Sequence, residues 1–157
     1  MNIGIIFHSS TGNTRALAQK IESKLIERNH SVTLRELKTD KPVKSGKQKN
    51  DFTITNLPDC ADYDAILVGS PVWAFSASPV VINAIESLQN ISGKIALPFV
   101  TMGFPFPFMG GTSAIRDMNK HMNQKGAILR TGAIAPMLFR NFKKSIENAS
   151  SAAVEQL

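Results

Sequence analysis

The chain has 157 residues, 43% hydrophobic and 19% charged, with a net charge of +6 and a pI near 9.7. That is about one domain of chain, 1–157, with enough apolar side chains to bury a core, and it excludes the disordered and fibrous classes. No apolar run reaches the ~18 residues needed to cross a bilayer, and Met1-Asn2 leads straight into a strand-like run without a charged leader, so a cytoplasmic protein with no membrane span is expected. A lone Cys60 and three histidines without ligand spacing (His8, His30, His121) give no reason to expect a disulfide or a metal.

In chain order, the apolar run 2–8 (NIGIIFH) precedes 13–28, where Ala16, Leu17, Ile21, Leu25 and Ile26 recur at helical spacing. A second run, 31–37, leads into 39–63, which has no clear periodicity and suggests irregular structure with a small hairpin around 51–54. Five lysines fall in 38–49, KTDKPVKSGKQK. With Pro42 and Gly46 inside it and only Phe52 as aromatic neighbour, this reads as a solvated loop and not a nucleic-acid groove. Strand-like 64–69, 94–101 and 127–134 then alternate with helical 79–89, 113–125 and 139–156. Runs apolar on both faces belong to parallel strands covered by helices on both sides. The fold class expected is α/β, a three-layer α/β/α sandwich around a doubly wound five-stranded parallel sheet.

Ligands of such sheets lie beyond the carboxyl ends of the strands. After the first strand comes Ser9-Ser10-Thr11-Gly12-Asn13-Thr14, then a helix whose first amides lack internal partners. Four hydroxyls, a permissive glycine and the positive end of a helix make a phosphate cradle. A helix cap alone needs one such residue. Neither G-x-x-x-x-G-K-[ST] nor G-x-G-x-x-G can be written over 8–20, which counts against a mononucleotide ATPase and a dinucleotide-binding Rossmann domain.

With two further loops this segment resembles the flavodoxin family. S-x-T-G-N-T is that family's FMN phosphate loop and stands unsubstituted at Ser9, Ser10, Thr11, Gly12, Asn13 and Thr14. Gly69-Ser70-Pro71-Val72-Trp73-Ala74-Phe75 is similar to the loop whose tryptophan lies against the isoalloxazine ring. Thr101-Met102-Gly103-Phe104, continuing to Gly110-Gly111, stands where the other flavin-flanking loop belongs. The resemblance implies strand order 2-1-3-4-5 and non-covalent FMN. It places cofactor contacts at Ser9 to Thr14, at Ser70, Pro71, Val72, Trp73, Ala74 and Phe75, and at Thr101, Met102, Gly103, Phe104, Gly110 and Gly111.

The residues supply their own reasons. The single tryptophan sits past a proline at a strand end, exposed unless a flat partner covers it. Trp73, Phe75, Met102 and Phe104 form an apolar wall for a planar ring. Phe106 and Phe108 could join that wall or pack on each other, and Gly110-Gly111 could be a tight turn or a close approach to the ring's polar edge. Unlike many flavodoxins, the chain is basic and has no Asp or Glu in 70–76 or 101–111.

Two functions follow: an FMN electron carrier docking on a redox partner protein, or an FMN oxidoreductase taking hydride from NAD(P)H and passing it to a quinone or similar small acceptor. A receiver domain would need an aspartate where Gly69-Ser70-Pro71-Val72 stands, and a C-x-x-x-x-x-R phosphatase fails because Ile66 is sixth after Cys60. No side chain stands out as general acid or base, and His8 reads as a strand-end hydrogen-bonding residue. The family's turn after the aromatic residue flips on flavin reduction, and Ala74, where glycine eases that flip, is expected to resist it through a positive φ.

Overall fold

The computed structural model describes residues 1–45, 51–138 and 141–157. Strand β1 (Asn2–Phe7) buries Ile3, Ile5 and Phe7 on one face and Ile6 on the other, the two-faced burial its unbroken apolar run requires. Helix α1 (Asn13–Glu27) follows, then the edge strand β2 (Ser31–Glu36), where burial alternates and Thr33 and Arg35 face out. Beyond the 39–63 excursion come β3 (Ala65–Trp73), the short β4 (Ser76–Ala77), α2 (Pro79–Ser87) and β5 (Ile95–Met102). The chain ends with α3 (Gly111–Gln124), β6 (Ile128–Leu129), β7 (Ala133–Pro136) and α4 (Phe142–Val154).

The sheet runs β2-β1-β3-β5-β6, with β7 continuing the last position against β5 and β4 folded back on β3. Apart from the antiparallel β3–β4 pair, all the strand pairings are parallel. The expected order 2-1-3-4-5 is this order, with the fifth position built from two pieces. One core layer joins Leu17, Ile21 and Leu25 of α1 and Ile146 and Ala153 of α4 to Ile5, Leu67 and Phe99. The other joins Val81 and Ile85 of α2 and Met118 and Met122 of α3 to Ile6, Val68 and Val100.

Three departures from the sequence expectation have local causes. The strand expected at 127–134 splits because Ile95 pairs with Ile128 but Phe99 with Ala133, so one extra residue enters the last position. Pro98 of β5, with no amide to donate, lies at this break. The strand expected at 64–69 runs on to Trp73 because it turns back into β4. Within 39–63, Thr39 and Ile54 form an isolated antiparallel bridge, so the expected pairing near 51–54 exists but closes on 38–40. Lys47 and Lys49 of the lysine run, and the expected start of the last helix at 139–140, lie outside the described residues. Among the described residues no helix is long and apolar enough to cross a membrane.

Candidate functional site

Three loops meet beyond the carboxyl ends of β1, β3 and β5. In the first, Ser9 Oγ accepts from the amides of Gly12 and Arg15, at 3.1 and 3.3 Å, which curls the chain into the start of α1. Gly12 caps the helix with φ 94°, and a Cβ built there would meet nothing within 4 Å. The glycine is therefore needed for its backbone angle, and the space beside it is open. Among the described residues the amides of Ser10, Thr11, Asn13 and Thr14 have no acceptor, and the hydroxyls of Ser10 and Thr11 are exposed. Arg15 forks onto Glu36 through two bonds of 2.7 and 2.8 Å, so the nearest charged pair is neutralised within itself.

The second loop is a hairpin. Trp73 pairs with Ser76 and Val72 with Ala77, leaving Ala74-Phe75 as a two-residue turn. Both have positive φ, 47° and 66°, as a type I′ turn requires, although asparagine and glycine are the usual occupants. The positive φ expected at Ala74 on flavin reduction is present in the hairpin itself, because the hairpin's twist demands it. At the hairpin's base Ser70 Oγ accepts from the Ser78 amide at 2.8 Å, while Ser78 Oγ caps α2 by accepting from Val80.

The third loop packs on both others. Thr101 and Thr14 share a buried hydroxyl bond of 2.8 Å, and a Cβ on Gly110 would come within 2.9 Å of Phe75 Cα. One on Gly111 would meet Met102 Sδ at 2.7 Å, so close packing accounts for both glycines. Phe104 lies parallel to Phe75 at 5.8 Å, and Phe106 parallel to Phe108 at 5.5 Å. All four rings stay exposed, Phe108 by 78%.

The eighteen expected contacts therefore divide. Thr14, Ser70, Thr101, Met102, Gly110 and Gly111 are buried and tie the loops together. Ser10, Thr11, Gly12 and Asn13 line the first loop, with Ser9 holding its turn. Trp73, half-buried, stands with Ala74, Phe75 and Phe104 on the aromatic side, and Pro71, Val72 and Gly103 support them. A cavity of about 520 Å³ lies between Pro107 of the third loop and Ile134, Pro136 and Lys144.

Two residues reach further than the sequence reading gave them. His8 Nδ1 lies 2.9 Å from Ser78 Oγ, and its ring meets Trp73 edge-on at 5.3 Å and 85°. Burial lowers the His8 pKa below its ordinary 6.5, opposed by the Glu36 carboxylate. A serine before proline at a helix start is the local signal that could mark Ser78 as a cap, and nothing local marks it as a partner of His8.

The donor set suits a phosphate monoester joined to a flat ring: unpaired amides and hydroxyls at one end, uncharged aromatic walls at the other. No curated protein sequence matches the chain. Solved structures similar to it include a flavodoxin from Streptococcus pneumonia TIGR4 at 19% identity and TM-score 0.69, covering 100% of this chain and 97% of that one. Another is an oxidised Flavodoxin 2 from Bacillus cereus, at 19% identity and TM-score 0.68, covering 98% and 96%. The flavodiiron protein of Giardia intestinalis, at 17% identity and TM-score 0.67, matches 99% of this chain over 35% of its own length. At these identities the likeness is one of fold. The sequence model described as NADPH-dependent FMN reductase matches residues 1–137, most of the chain, and the protein belongs to that family.

Proposed function

We propose that the chain is an FMN oxidoreductase that takes hydride from a reduced nicotinamide dinucleotide and passes electrons to a small flat acceptor such as a quinone. Its family and fold make it a flavodoxin-like redox protein that binds FMN. FMN, when bound, supplies a ring able to accept a hydride and release its electrons to an acceptor. In this reading the amides of Ser10, Thr11, Asn13 and Thr14 and the hydroxyls of Ser10 and Thr11 hold the phosphate. Trp73, Phe75 and Phe104 wall the ring and exclude water from it.

The observation that carries the choice of enzyme over carrier is the rim. Residues 69–85 and 100–115 contain no charged side chain in a chain of net charge +6, and Phe75, Phe104, Phe106 and Phe108 are all exposed there. A carrier that docks transiently on protein partners uses complementary charge at its flavin edge to steer encounter. An uncharged aromatic rim instead favours a small apolar ring. The test is steady-state oxidation of NADH and NADPH by the FMN-loaded protein with a quinone present. Turnover that rises with quinone concentration supports the enzyme. Flavin reduction only through a redox partner protein would return the carrier.

A further inference from the structure

His8 and Ser78, which phosphate and ring binding leave unused, form a chain of contacts with Trp73. His8 directly follows β1, and its amide donates to Gly69 O at 3.1 Å, which fixes its backbone on β3. Its Nδ1 lies 2.9 Å from Ser78 Oγ. That oxygen already accepts from the Val80 amide, so the hydroxyl hydrogen is free to point at the imidazole. Ser78 is itself fully buried and held through its amide by Ser70. The His8 ring also meets the indole of Trp73 at right angles, an edge-to-face contact. Trp73 pairs with Ser76 beside the turn, so its backbone is held by the hairpin and the tilt of its indole is left to the groups that touch it.

We propose that His8 is a positioning residue for the flavin site: hung on Ser78, its neutral imidazole sets the tilt of Trp73 and so the wall against which the ring lies. This rests on the FMN reading of the site. Among the described residues the charged group acting on His8 is Glu36 at the end of β2, itself forked by Arg15 of α1. From β3, the hairpin and the start of α2, the neighbours are Gly69, Trp73 and Ser78, none of which carries a charge. Protonation makes Nδ1 a donor, so Ser78 must turn its own hydrogen away while still accepting from Val80, and the support under Trp73 is rebuilt. The arrangement is intact above the ordinary imidazole value of 6.5 and is lost as pH falls through the lowered value of the folded chain.

Trp73 is the single tryptophan, so its emission reports the pair without FMN. The experiment follows that emission in the FMN-free protein while pH is lowered from ~8 to ~5, a span that brackets imidazole titration. Wild type is compared with His8→Gln, whose amide oxygen can still accept from Ser78 but does not titrate, and with His8→Phe, which keeps a ring but no acceptor. The expected result is one step below pH 6.5 in wild type, absent from both variants. Near neutral pH, FMN and riboflavin should both bind His8→Phe about tenfold more weakly, and His8→Gln within about threefold of wild type, as the loss or retention of one hydrogen bond implies. A flat wild-type emission, a step that persists in His8→Gln, or unchanged flavin affinity in His8→Phe would overturn the proposal. Should His8→Phe fail to fold, the wild-type and His8→Gln titrations decide alone. A wild type that binds no FMN would remove the FMN reading, while the emission titration would still decide whether His8 holds Trp73.

Discussion

The two ends of the parallel sheet are finished differently. At the amino end of β3, polar groups are matched: the Asn2 amide donates to Asp64 at 2.6 Å, and Asn90 donates to Asp59 at 2.7 Å. Lys94 Nζ donates to the carbonyls of Cys60, Ala61 and Tyr63 at 2.7, 2.6 and 2.5 Å. At the carboxyl end, the amides of Ser10, Thr11, Asn13 and Thr14 have no acceptor among the described residues, and four phenyl rings face out. Unpaired donors and bare apolar rings both cost free energy, so a fold keeps them together where a ligand satisfies both. In the proposed reading the matched end serves stability and the unmatched end serves binding, and substitutions at the two should separate those properties.

The largest effect is expected at Gly12. Its φ of 94° excludes a β-branched side chain, and the space beside it is where the phosphate would approach. Gly12→Val should weaken FMN binding on the order of 100-fold or more, read by quenching of flavin fluorescence. At the other end, Lys94→Met strips three carbonyls of their donor and should lower unfolding stability by about 2 kcal/mol in urea, with FMN affinity of the folded protein unchanged. A loss of FMN affinity there would break the comparison.

Smaller effects sharpen it. Trp73→Ala removes one wall of the ring site and should weaken FMN and riboflavin equally, by about tenfold, since the indole does not serve the phosphate. Ala74→Gly relieves a positive φ of 47° and should raise unfolding stability by about 0.5–1 kcal/mol, the strain released less the added freedom of the unfolded chain. Because the hairpin itself holds Ala74 at this φ, Ala74→Gly should move the flavin's reduction potential little. A large shift would show that the turn rearranges on reduction after all.

What the sequence showed and what it hid follow from range. The alternation of apolar runs with helical spacings places the strands and helices, because two-faced burial leaves a local signature in Ile3 to Phe7 and in Ala65 to Val68. The start of α1 after the first loop was legible for a similar reason, since the small polar residues around Gly12 break the apolar run just before helical spacing begins. The β3–β4 hairpin was not, because Ala74-Phe75 carries none of the glycine or asparagine that marks a type I′ turn. Nor could spacing tell which candidates would be buried: Thr14 meets Thr101, 87 positions away, and His8 meets Ser78, 70 away. Those pairings depend on how three loops converge, which only the folded sheet determines.

The central claim is that the unpaired donors of the first loop hold a phosphate while the aromatic side holds the ring. Riboflavin is FMN without the phosphate, so the most direct test is to titrate the purified protein with each. Charge-assisted hydrogen bonds contribute about 1.5–3 kcal/mol apiece, and losing two or more should weaken riboflavin by on the order of a hundredfold or more relative to FMN. Equal affinities would contradict the account and leave Ser9 to Thr14 as no more than the start of a helix.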